Sequence, residues 1–252
     1  MRAVQRNVLT SVVLMVAAVV VLSRGPGRAE LSLASEPGAL LTFHNRSNQM
    51  YRCSGEQIGE NTWLTARHCV TKRDGRLSVT ANGSTVVEHR AHFIARRAGE
   101  EGPERVRTDV AVIGDLRDVS LEVGDLTQRA NRGENGLLVV RAWQDDENWH
   151  ECRTRLRNAE YINGNWAVQC WLKPGASGAV VWYVADADAY LKARGAKPEL
   201  GSAVRAAGFE DGSTWRQPGM LAVGVLSTAS TSGWNSISEM KVLLSLLGQT
   251  DQ

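Results

Sequence analysis

An excess of charge of either sign is missing from this 252-residue chain: 29 Lys and Arg stand against 27 Asp and Glu, a formal net charge of +2. That is too little for a nucleic-acid surface. The basic residues are scattered, with no run interleaved with aromatics, so no nucleic-acid partner is expected. Cys-X-X-Cys pairs are also absent, which argues against a metal site built from the four cysteines; neither a metal nor another cofactor is expected. The apolar run from Val8 to Leu22 falls short of the roughly 20 residues that span a bilayer. It follows Arg2 and Arg6 and precedes Gly27-Arg28-Ala29 and Ser32-Leu33-Ala34, either of which offers a small-X-small cleavage site. Residues 1–29 therefore read as a secretory signal peptide or, left uncleaved, as a signal anchor through residues 8–22. The rest of the chain is expected to be secreted, periplasmic or otherwise extracytoplasmic. Contact with a membrane is expected only through that segment.

What the chain does have is enough apolar content, 43%, to bury a full core. Cys53, Cys69, Cys152 and Cys170 are an even number in an exported chain, so two disulfides are expected, with three connectivities open. Short β-branched or alternating segments recur at Arg76–Ala81, Ser84–Glu88, Val110–Ile113, Leu137–Arg141, Trp166–Cys170 and Ala179–Val184. Asp74-Gly75, Asn82-Gly83 and Asn163-Gly164 punctuate them, a spacing that argues for β-barrels. A polar stretch from Asp115 to Asn135 reads as a linker. Near the end, Ser236-Ile237-Ser238-Glu239 has the form of a capping box, and Ile237, Met240, Leu243, Leu244 and Leu247 recur at helical spacing before Gly248.

Three motifs carry chemistry. His68 follows an apolar strand, Trp63-Leu64-Thr65-Ala66, and is itself followed by Cys69. Asp109 opens the apolar run Thr108-Asp109-Val110-Ala111-Val112-Ile113. Ser177 sits in the turn Gly175-Ala176-Ser177-Gly178. A histidine, an aspartate and a serine in rigid settings are the inventory of an acyl-transfer catalyst. The order excludes an α/β-hydrolase, whose nucleophile comes first in Gly-X-Ser-X-Gly.

Together with Cys53-Ser54-Gly55, Ile58 and Ala222-Val223-Gly224-Val225-Leu226-Ser227, these motifs resemble the chymotrypsin-like serine endopeptidases from about Cys53 to the C-terminus. The compact spacings from His68 to Asp109 and from Asp109 to Ser177 look more like the small bacterial glutamyl-endopeptidase branch. The resemblance implies an all-β fold of two six-stranded antiparallel barrels with a C-terminal helix at about 237–247. Residues 30–120 would form the barrel carrying His68 and Asp109. Residues 121–252 would form the one carrying Ser177, with an insertion at about 185–220 that begins in a short helix. It further implies hydrolysis of a peptide or protein substrate through an acyl-enzyme on Ser177. His68 would be the general base, Asp109 would orient it, the N–H groups of Gly175 and Ser177 would form an oxyanion hole, and Ser227, Thr228 and Ala229 would be the edge strand that pairs with substrate. Cys53 would bond Cys69, leaving Cys152 and Cys170 as a clamp across a hairpin.

Three departures stand out. Ala176 replaces the aspartate that animal members pair with a new N-terminus, so activation by that ion pair is excluded. Arg67 stands where a small residue is usual and reads as an exposed charge beside the histidine. The interval from Ser177 to Ser227 is long. Trp171-Leu172-Lys173-Pro174 offers no acid for a trypsin-type pocket, and Leu226 stands where glutamyl-specific relatives place a histidine. A small or apolar residue before the cut is the expectation, with Lys173 as a route to an acidic one. The alternative reading of the chain is a catalytically weak or inactive protease-like binding protein.

Overall fold

The computed structural model describes residues 38–44, 50–71, 76–81, 84–94, 103–144, 149–193, 206–207, 219–229 and 233–248. All lie within Ser35–Gln252, one of the two units into which the chain divides. The expected signal segment and the Asp74-Gly75 and Asn82-Gly83 turns lie outside the described residues. No helix among the described residues is long and apolar enough to cross a membrane.

Six strands, β1 (Ala39–His44), β2 (Met50–Gly59), β3 (Thr62–Thr65), β4 (Arg76–Ala81), β5 (Ser84–His92) and β6 (Ala111–Ile113), close into a barrel in the order β1-β2-β3-β6-β5-β4. All its pairings are antiparallel, and β4 returns to β1 through Leu41 and Thr42. Leu41, Phe43, Ile58, Leu64 and Val112 of these strands are buried in the hydrophobic core. Branched and aromatic side chains of this kind favour a pleated, half-buried surface.

Eight further strands form one antiparallel sheet. They are β7 (Leu137–Trp143), β8 (Trp149–Arg155), β9 (Glu160–Ile162), β10 (Asn165–Gln169), β11 (Val180–Val184), β12 (Ala206–Ala207), β13 (Leu221–Ala229) and β14 (Trp234–Glu239). Their order is β12-β8-β7-β11-β13-β14-β10-β9. The expected second set of six strands is thus present as its centre, and short strands add to both ends. One hairpin of this sheet, β9–β10, turns on Asn163 and Gly164 at φ 50° and 80°, the left-handed pair that a two-residue Asn-Gly turn requires.

Both locally paired disulfides form, Cys53–Cys69 and Cys152–Cys170, with sequence separations of 16 and 18. The second corrects an expectation. Cys152 lies in β8 and Cys170 directly follows β10, strands at opposite ends of the central six, so the bridge joins the two outer strands of that set instead of clamping a hairpin. Each closed loop stabilises by about 3 kcal/mol in the chain-entropy picture. Two such bonds fit an oxidising, extracytoplasmic setting.

The C-terminal helix is Lys241–Leu247, and Ser236–Glu239 is strand, not a capping box. Tertiary partners override the local signal. Ile237 pairs with Leu226 on one side and Trp166 on the other, while Glu239 accepts from Thr127 Oγ1 at 3.0 Å. The helix buries Val242, Leu243 and Leu246, whereas Leu244 is 53% exposed. Within the expected insertion, the helix Ala187–Ala193 buries Tyr190 and Leu191 in the core, and β12 pairs with β8. The expected linker holds a helix, Leu126–Asn131, capped by Asp125 and fixed by the fully buried Leu126.

Candidate active site

β3 leads directly into a one-turn helix, Arg67–Val70, that presents His68 and ties Cys69 to Cys53 on β2. Asp109 lies between the helix Pro103–Arg107 and β6, and its own carbonyl accepts from Arg67 N at 3.2 Å. His68 Nδ1 stands 2.7 Å from Asp109 Oδ2, and the His68 backbone N–H donates to Oδ1 at 2.8 Å. Ser227 Oγ donates to Oδ2 at 2.5 Å. Asp109 is 1% exposed. Burial pushes its carboxyl up, but the His68 hydrogen bonds and charge and the Ser227 hydroxyl outweigh it and hold the group below the usual carboxylate range.

A carboxylate only accepts, so Nδ1 of His68 carries the proton and Nε2 of the neutral ring is a bare acceptor. Nε2 lies 3.8 Å from the Cys69 sulfur. His68 and Ser177 line one open cleft of about 240 Å³ with the Cys53–Cys69 bridge, Tyr51 and Arg105. Among the described residues, Cys53, His68 and Cys69 are the one group of metal-ligand types close together. Their two sulfurs are bonded to each other, which leaves no thiolate to hold a cation.

Ser177 occupies a tight turn before β11. Gly175 and Gly178 have φ 94° and 90°, values open to glycine at no steric cost. A Cβ on Gly178 would strike the Ser54 carbonyl and Thr65 Oγ1. Ala176 N–H donates to Lys173 O at 3.2 Å and Gly178 N–H to Leu226 O at 2.8 Å. The N–H groups of Gly175 and Ser177 have no acceptor among the described residues. Ala176 is 1% exposed and packs in the core.

No protein-family model matches the sequence, and no curated protein matches it. Solved structures do. The thermostable serine protease AL20 from an extremophilic microorganism aligns with TM-score 0.52 and 11% identity over 84% of this chain and 95% of its own. The protease Anisep from Arthrobacter nicotinovorans gives 0.51 and 15% over 84% and 94%. A Glu endopeptidase gives 0.50 and 14% over 87% and 94%. The fold is that of the chymotrypsin-like serine proteases.

On this chymotrypsin-like fold, His68 and Asp109 meet and Ser177 shares the cleft of His68. Ser227, expected only as a substrate-pairing residue, turns its hydroxyl to Asp109. Beyond Val225, β13 has outrun its ladder with β11, so Thr228 and Ala229 pair with β14 alone. Ser238 was not anticipated: its hydroxyl accepts from Asp109 N at 3.1 Å and donates to the Val106 carbonyl. No local sequence signal marks that role, because the partners lie about 130 residues apart.

Arg67 corrects another expectation. It is 9% exposed, with its guanidinium 4.9 Å over the Phe93 ring, so it is a buried cation–π contact instead of a surface charge. Asp115, the first residue of the expected linker, is taken up by Arg117 at 2.6 Å, whose hydrogen bonds hold it at about 2. Leu226, in the place of a glutamyl-type histidine, is 1% exposed in the core, while Trp171 is 51% exposed.

Proposed function

We propose that this protein is an exported serine endopeptidase. Residues 1–29 are the signal or anchor, residues 30–120 carry His68 and Asp109, and residues 121–252 carry Ser177. As Ser177 Oγ bonds to a peptide carbonyl carbon, its proton passes to His68 Nε2 and the carbonyl electron pair moves onto oxygen. That oxyanion is received by the Gly175 and Ser177 N–H groups. Collapse expels the amine, protonated by His68, and leaves an acyl-enzyme. Water, deprotonated by the same imidazole, then releases the acid and restores Ser177. Asp109 keeps the proton on Nδ1 and stabilises the imidazolium. The substrate backbone adds as a strand along Ser227, Thr228 and Ala229.

One observation carries this reading: a histidine whose tautomer is set by a buried carboxylate at 2.7 Å lines the same cleft as a serine in a glycine-rich turn. With no acid in Trp171–Pro174 and Leu226 in the core, the residue before the cut is small or apolar, and Lys173 is the route to an acidic one. Incubation of the purified protein with a mixed peptide library, read by mass spectrometry, tests both points. Cleavage is expected from the natural sequence and lost by about 10⁶-fold in Ser177→Ala. Equal cleavage by Ser177→Ala overturns the assignment, and a folded natural protein that cuts nothing favours an inactive binding protein.

A further inference from the structure

We propose that Ser54, on the barrel opposite the nucleophile, is the positioning residue that holds the Gly175–Ser177 turn in its reactive geometry. This rests on Ser177 being the nucleophile. Ser54 follows the disulfide-anchored Cys53 on β2 and is 0% exposed. Every polar atom it has is used. Its N–H donates to Ser177 O at 2.8 Å, and its carbonyl accepts from Thr65 Oγ1 at 2.8 Å. Its hydroxyl accepts from Trp143 N at 2.8 Å and lies 2.9 Å from Gly175 O. The hydroxyl has one proton, and the Trp143 carbonyl, at 3.4 Å, is the poorer acceptor, so the proton goes to Gly175 O.

The two carbonyls that Ser54 grips bracket Ala176. Fixing both sets the rotation of the Ala176–Ser177 peptide between them, and with it the direction of the Ser177 N–H proposed to receive the oxyanion. The turn needs such a tie because Gly175, at φ 94°, has no Cβ to restrict it. Residue 176 supplies no carboxylate to lock the loop. Among the described residues, the Ser54 hydroxyl is the one side chain hydrogen-bonded to the Gly175–Ser177 backbone. Ser54 touches no reacting atom; it acts through the turn.

The test compares Ser54→Ala, Ser54→Gly and the hydroxyl-retaining Ser54→Thr with the natural protein, well below each melting temperature. The readouts are kcat and KM on a cleaved peptide, the pH profile, and amide hydrogen exchange of residues 170–179. Ser54→Ala and Ser54→Gly are expected to lower kcat about tenfold, the effect of one buried hydrogen bond. KM should change less than twofold, the pH midpoint should stay fixed, and exchange at Ala176 should rise. Ser54→Thr should keep the larger share of activity. Natural kcat and unaltered exchange in both hydroxyl-less variants overturn the proposal. So does an equal loss in all three variants with unaltered exchange. If the natural protein has no turnover yet loss of the hydroxyl still loosens 170–179, Ser54 holds the turn and the protease reading falls.

Discussion

The two sheets are closed by different means. β1 to β6 return on themselves through backbone hydrogen bonds alone, β4 pairing with β1. In the second sheet the central six strands run from β8 to β10, and a covalent bond joins Cys152 of β8 to Cys170 just after β10. Each sheet also holds a candidate site residue of the other. Ser227 and Ser238, on β13 and β14, grip Asp109 beside the first barrel; Ser54, on β2, grips the Ser177 turn beside the second. The site is therefore a property of the interface, and neither half is expected to keep its geometry alone.

Breaking the first barrel's contribution to chemistry has the largest effect after loss of Ser177. Asp109→Asn keeps the shape, but its amide can donate and no longer enforces a proton on Nδ1, so kcat should fall about 10⁴-fold. The same variant tests stability against pH. The folded Asp109 is more acidic than in the unfolded chain, so its contribution is complete above about pH 4 and is lost as pH falls through the folded value. The gap in denaturant midpoint between Asp109→Asn and the natural protein should narrow under acid. A constant gap from neutral to strongly acidic pH contradicts the assigned charge state.

Removing Cys152 and Cys170 as an alanine pair sharpens the contrast in closure. Stability should drop by about 3 kcal/mol, and hydrogen exchange should rise in β8 and β10 while β1 and β4 stay protected. Equal loosening of both sheets would mean that the bridge does not serve the second alone. A smaller change is expected from Ser227→Ala, which leaves one lobe of a buried carboxylate without its donor. About 1–3 kcal/mol of stability is lost, read as a lower denaturant midpoint.

Much of the site was legible because its signals are local. A β-strand followed by Ala66-Arg67-His68-Cys69, an aspartate before Val110–Ile113, and serine between glycines each declare themselves within a few residues. Strand limits such as Arg76–Ala81 matched because alternation and turn residues agreed. What escaped was long-range. Ser236–Glu239 has the composition of a cap, yet β10 and β13 claim it as a strand, and Ser238 is drawn to Asp109. Arg67 looked exposed because nothing nearby announces that Phe93 will stack on it. The disulfide from Cys152 was assigned to a hairpin because sequence shows proximity along the chain and not sheet order.

The smallest effect predicted is from the N-terminus. Ala176 is buried among apolar neighbours, so versions of the chain beginning at Glu30, at Ser35 or behind an added tag should cleave a good peptide at rates within a few-fold. Activity confined to one free N-terminus would contradict the proposed independence from processing.

The central claim, that Ser177 is a nucleophile activated by His68, is tested most directly by a fluorophosphonate, which reacts with activated serines. Intact mass and peptide mapping should show one adduct per chain, on Ser177, and its formation should be abolished in His68→Ala. An adduct on another residue, or undiminished labelling without His68, would contradict the account.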